Sequence, residues 1–126
     1  MVKEILLVGC GGFVGAVGRY LFGGWIHRLF RQADFPYGTL GVNLLGCLVI
    51  GLLAGLADQR ELFGPDTRLF VFIGMLGAFT TFSTFSYETL ALLRDGQTLS
   101  AFVNIVISVI AGLLLAFTGY KAACVL

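Results

Sequence analysis

The sequence predicts an all-α membrane protein with four transmembrane helices per subunit, the third of them broken, in a single domain covering residues 1–126. Three observations lead there. Hydrophobic residues fill 58% of the 126 positions and charged residues only 12%, and the mean hydropathy is +0.96, a balance foreign to soluble domains of this size. Four runs, roughly 5–25, 38–57, 69–92 and 99–122, reach the about 20 mostly apolar residues that a bilayer crossing needs. The charges gather between these runs: His27, Arg28, Arg31 and Asp34 before Pro36; Asp58, Arg60, Glu61 and Asp66 around Gly64-Pro65; then Arg94-Asp95-Gly96. The spans take nearly every residue, which leaves no room for a catalytic domain, and a net charge of +1 gives no reason to expect nucleic acid. The expected setting is the cell (inner or plasma) membrane, crossed several times.

The first span begins after Lys3 with Ile5-Leu6-Leu7-Val8, and no small-residue cleavage site closes the apolar run before Arg19, so it reads as a retained helix and not a secretory signal. Gly11 and Gly15 form a close-approach pair, as do Gly51 and Gly55 in the second span. The run Gly9-Cys10-Gly11-Gly12-Phe13-Val14-Gly15 brushes against a dinucleotide fingerprint, but Val14 holds the third glycine position and no βαβ unit follows. Arg19 lies close enough to one end of the helix to snorkel, and is placed to draw anions into a vestibule. Cys10, Cys47 and Cys124 have no metal-ligand spacing and read as small hydrophobes.

In the second span Thr39 and Asn43 are four residues apart and share a helical face. Asn43 suits interhelical bonding and pore lining equally well. The third span holds the most informative segment, Thr80-Thr81-Phe82-Ser83-Thr84-Phe85-Ser86, with five hydroxyls and two phenyl rings in seven positions. Gly74 and Gly77 precede it, and the modest helix propensity of its hydroxyl residues predicts an interruption near 77–81. An interruption frees carbonyls, which in transporters commonly coordinate a small cation such as sodium. Phe79, Phe82 and Phe85 follow at intervals of three, and ring edges can line an anion path without a formal charge. Glu88 lies late in this span, placed to cap, to pair with a basic residue or to support the hydroxyls. In the fourth span Asn104 and Ser108 are four apart, and Thr118 falls within about 40° of Asn104 on a helix of 3.6 residues per turn.

Four spans put both termini on one side. The flanking cations then divide into Lys3, Arg60, Arg68 and Lys121 against Arg28, Arg31 and Arg94. Four against three is no orientation bias. A chain without a bias inserts both ways, and opposite orientations can pair, so an antiparallel dual-topology homodimer is expected. The glycine-rich spans, with 18 glycines in the chain, support that pairing, although packing inside one subunit accounts for them as well.

Three stretches resemble the small fluoride channels called Fluc or CrcB: Gly11-Gly12-Phe13-Val14-Gly15-Ala16-Val17-Gly18-Arg19-Tyr20, Gly38-Thr39-Leu40-Gly41-Val42-Asn43, and Gly77 to Ser86 with Glu88. They occur in family order, and the resemblance covers the whole chain. It implies an antiparallel dimer, two fluoride pores along the subunit interfaces and a structural sodium ion at the two-fold centre. By position it implies a pore lined by Asn43, Phe82, Phe85, Ser108 and Thr84, with Asn104 on the same fourth-helix track. Sodium would be held by the backbone carbonyls of Gly77 and Thr80, and Arg19 would stand in the vestibule. The implied role is passive export of fluoride, which confers fluoride resistance on a cell. In the family a tyrosine or histidine stands at the position of Asn104 and further hydroxyls follow Ser108; here Gly112 interrupts that track.

The alternative is a small four-helix proton-coupled drug or guanidinium exporter. Such exporters resemble one another in a membrane-embedded glutamate in the first span, and residues 5–25 contain no acid. Enzyme chemistry is not expected, because His27 is the sole histidine and no nucleophile–base pair can be assembled around it.

Overall fold

The computed structural model describes every residue except Gln32 and Glu61; Glu61, assigned from the sequence to the second connection, thus lies outside the described residues. Four helical stretches are long and apolar enough to cross a membrane. We label them α1 (Val2–Leu29), α2 (Tyr37–Arg60), α3 (Pro65–Arg94) and α4 (Thr98–Val125). Each helix continues past the apolar run that marks it in the sequence, since polar residues at the ends lengthen a helix without adding to its hydropathy.

Local chemistry sets the joints. Pro36 stands just before α2, and Pro65, at the first turn of α3 behind the extended Gly64, has no N–H that would be left without an acceptor. α3 ends in a Schellman motif: Gln97 N–H donates to the Leu92 carbonyl at 2.8 Å and Gly96 N–H to the Leu93 carbonyl at 3.1 Å. Gly96 has φ = 76°, the left-handed region where a Cβ is disfavoured.

α3 is composite. Its first part, α3a (residues 65–79), runs from an α-helical turn at Pro65–Arg68 through the π-helical Leu69–Leu76 to a final α-helical turn at Gly77–Phe79. Thr80 and Thr81 are extended, and α3b (Phe82–Arg94) resumes the helix.

Packing pairs α1 with α3a and α2 with α4, while α3b touches α2 and α4 far more lightly. Glycine permits both close pairings. A Cβ at Gly15 would meet the Met75 backbone of the π segment, and one at Gly51 would meet the Ala116 backbone. Gly11 likewise faces α3a, and Gly55 lies against α4, where a Cβ would meet Ala123 Cβ at 2.6 Å. Both glycine pairs are therefore buried within one subunit, which corrects their use as support for pairing between copies: the backbones they admit belong to the same chain.

Polar contacts tie the ends of the helices on one side. Lys3 pairs with Asp66, Tyr120 Oη donates to Asp58 Oδ2 at 3.2 Å, and Arg60 donates to the Leu126 carbonyl. The start of α1, the start of α3 and the ends of α2 and α4 thus share a side, as a bundle with four crossings requires.

Gly51→Val is expected to destabilise the fold by about 1–3 kcal/mol through overpacking, read by SDS-induced unfolding in micelles. Gly9→Ala, where a Cβ meets nothing within 4 Å, is the control and is expected to leave stability unchanged or slightly raised.

Candidate functional site

The site is built around the two extended residues. In a continuous α-helix Thr81 N–H would donate to the Gly77 carbonyl; here it donates to Asn43 Oδ1 at 3.2 Å. Thr80 makes the last turn of α3a, its N–H and its hydroxyl both donating to the Leu76 carbonyl at 3.0 Å. Its φ and ψ are −93° and 153°, and those of Thr81 are −153° and 125°, conformations that β-branched residues favour. Beyond the break the hydroxyls turn inward on their own segment. Thr81 Oγ1 and Ser83 Oγ lie 3.1 Å apart, and Ser86 Oγ donates to the Phe82 carbonyl at 2.9 Å.

The extended pair also separates three phenylalanines that a continuous helix would hold in one row. Phe79 turns toward α1, its ring 6.3 Å from that of Phe22. Phe82 and Phe85 stay together on α3b with centroids 5.6 Å apart and planes tilted by 44°. Phe82 is 80% exposed on the single subunit.

Two cavities flank α3b. The smaller, of about 420 Å³, is bordered by Asn43 and Cys47 of α2, Gly77, Thr80 and Thr81 at the break, Phe82 and Phe85, and Ser108 of α4. Four of the predicted pore residues and both predicted carbonyl donors therefore share one cavity. Asn43 and Cys47 are one helical turn apart, which aims both at the same space. With Oδ1 occupied by Thr81 N–H, Asn43 keeps its two amide hydrogens as donors. Ser108 Oγ is buried and has no hydrogen-bond partner among the described residues.

The larger cavity, of about 970 Å³, is bordered by Arg19, His27, Thr39, Thr81, Thr84 and Glu88 among others. Arg19 and Thr84 thus face a different space from the other predicted site residues, with Thr81 common to both cavities. Thr39 Oγ1 donates to Glu88 Oε1 at 2.8 Å, joining α2 to α3b at the cavity wall. Thr39 and Asn43 share a helical face, but the four-residue step carries them to different cavities.

Asn104 borders neither cavity. It is 2% exposed, and its Nδ2 donates to Thr89 Oγ1 at 2.9 Å between α4 and α3b. Thr118 is exposed and donates to its own helix at the Leu114 carbonyl. Of the fourth-helix stripe, Ser108 lines the smaller cavity, and Asn104 and Thr118 line neither of the two. Sequence reasoning missed the places of Thr81, Cys47 and Thr89: Cys47 follows Asn43 at the same spacing at which Thr39 precedes it, whereas nothing in the sequence singles out Thr89. Among the described residues no group of three or more His, Cys, Asp or Glu side chains is placed to hold a metal ion.

A family model described as "CrcB-like protein, Camphor Resistance (CrcB)" matches residues 6–120. Among curated proteins, the chain is 46% identical over 123 residues to a fluoride-specific ion channel FluC of Elusimicrobium minutum, covering 98% of this chain and 95% of the relative. It is 46% identical over 122 residues to a FluC of Geobacter sulfurreducens, covering 97% and 98%. With fluoride-specific ion channel FluC 3 of Methanosarcina barkeri it shares 44% identity over 119 residues, covering 94% and 89%.

Replacing Asn43 with leucine keeps the bulk but leaves Thr81 N–H without its acceptor. The expected cost is about 0.5–1.5 kcal/mol, that of one part-buried hydrogen bond, measured by unfolding in micelles; an unchanged midpoint would show that the break does not depend on this amide.

Proposed function

The chain belongs to the CrcB family, and we accordingly propose that it is a fluoride-selective channel, not an enzyme, that passes the ion passively across a cell membrane. The observation that carries this reading is the smaller cavity, lined by Asn43, by Ser108, whose hydroxyl has no partner among the described residues, and by Phe82 and Phe85. Fluoride is small and accepts hydrogen bonds strongly. Neutral donors replace its hydration without the deep binding that a formal positive charge would give, and weak binding lets an ion leave again. Ring edges add positive potential on the remaining side.

The larger cavity serves as the vestibule in this proposal, with Arg19 attracting anions and Thr84 among its lining residues. Thr81, which borders both cavities, joins them.

The pore is completed by a second copy. Phe82 is 80% exposed in the midst of a span, and an antiparallel homodimer would cover it and duplicate the path. The near-equal charge count of the two sides supports insertion in both orientations. The same symmetry bears on the expected structural sodium. The Gly77 carbonyl does not receive Thr81 N–H, and the next carbonyl, that of Thr80, belongs to an extended residue. Neutral oxygens of this kind suit a hard monovalent cation. One subunit offers two, and a two-fold axis would double them. The chemistry such an ion supplies is positive charge against carbonyls that have left their helix. In a cell the channel would export fluoride down its electrochemical gradient and confer resistance to it.

The test is purified protein in liposomes with a fluoride electrode. Efflux well above that of empty vesicles is expected; none would overturn the proposal, and equal chloride flux would remove selectivity. Ser108→Ala is expected to slow efflux about ten-fold, the equivalent of one hydrogen bond to an ion at about 1.5 kcal/mol.

A further inference from the structure

α3b is severed from α3a by the extended pair, so helical continuity does not set its rotation about its own axis. Beside the packing of buried Leu92 and the turn into α4, two side-chain hydrogen bonds help to fix it, and they fall on consecutive residues. Thr39 of α2 donates to Glu88 at 2.8 Å, and Asn104 of α4 donates to Thr89 at 2.9 Å. Residues 88 and 89 point about 100° apart around a helix, so the two bonds grip α3b from two directions.

The second bond continues. Thr89 Oγ1 has one hydrogen, which it donates to the Phe85 carbonyl at 2.8 Å, and Asn104 Nδ2 donates to an oxygen lone pair that remains. The result is a relay from Asn104 through Thr89 to the backbone of Phe85, whose ring borders the smaller cavity. Thr89 is 7% and Asn104 2% exposed, and neither lines the smaller or the larger cavity, which sets this relay apart from the groups that do. Its sensitivity is geometric. A rotation of α3b by about 10° carries a ring about 6 Å from the helix axis through about 1 Å, which is large beside the reach of a ring edge to a small anion.

We propose that Asn104 is a positioning residue for Phe85, acting through Thr89, and not a donor in the ion path. The proposal rests on the fluoride-channel reading, and its test separates the two. In liposomes, Thr89→Val and Asn104→Leu are each expected to slow fluoride efflux about five-fold, the scale of one interhelical hydrogen bond. The double variant is expected to be no slower than either single one, and Thr89→Ser, which keeps the hydroxyl, should restore the wild-type rate. Multiplying losses in the double variant, no loss in either single one, or failure of Thr89→Ser to restore the rate would overturn the proposal. A wild-type protein that conducts no fluoride would instead overturn the channel reading. Ring placement is read without conduction by fluorine NMR of 4-fluorophenylalanine at position 85, in fluoride-free buffer. Matching shifts in Thr89→Val and Asn104→Leu are expected; an unmoved signal in either counts against the relay.

Discussion

One amide decides the centre of this molecule. Thr81 N–H has two acceptors within its history along the chain, the Gly77 carbonyl of its own helix and the Asn43 side chain of α2, and it takes the second. Asn43 gives this part-buried N–H a partner where the backbone leaves the helix inside a span. Everything near the cavities depends on that exchange. It sets Phe79 apart from Phe82 and Phe85, it withholds an N–H from the Gly77 carbonyl, and it leaves α3b as a helix whose position is set by its neighbours.

The rest of the bundle is arranged to tolerate such a break. α1 with α3a, and α2 with α4, are pressed together at glycines where backbone meets backbone, contacts that dispersion and close approach favour when no hydrophobic driving force acts between helices in lipid. α3b has little of this and is held by polar bonds at Glu88 and Thr89. Close-packed pairs thus frame a short helix that polar bonds and buried Leu92 hold in place, and that helix carries Phe82 and Phe85 of the smaller cavity.

Much of the candidate site's lining was legible in the residues, and the reason is periodicity. Asn43, Phe82, Phe85 and Ser108 stand out as polar or aromatic groups inside apolar runs, and all four border one space. Asn104, one turn from Ser108, reads as part of the same track although the family pattern does not match there. A turn along a helix, however, can carry a side chain from a cavity into a helix–helix contact, and spacing alone does not say which neighbour stands opposite. Glu88 shows the same limit, with its partner Thr39 49 positions away in the chain.

The sequence by itself determined four membrane-spanning helices, the joints at Pro36, Gly64-Pro65 and Gly96, the absence of an orientation bias and the segment where polar groups enter the membrane. These follow from hydropathy, turn chemistry and charge, properties that each residue brings with it. Only the tertiary structure decided which donors face a cavity, which glycines are closed by the same chain, and that Asn104 meets Thr89 and not the space beside Ser108. Those outcomes depend on which backbone lies opposite a given face, and that is fixed by the packing of helices distant in sequence.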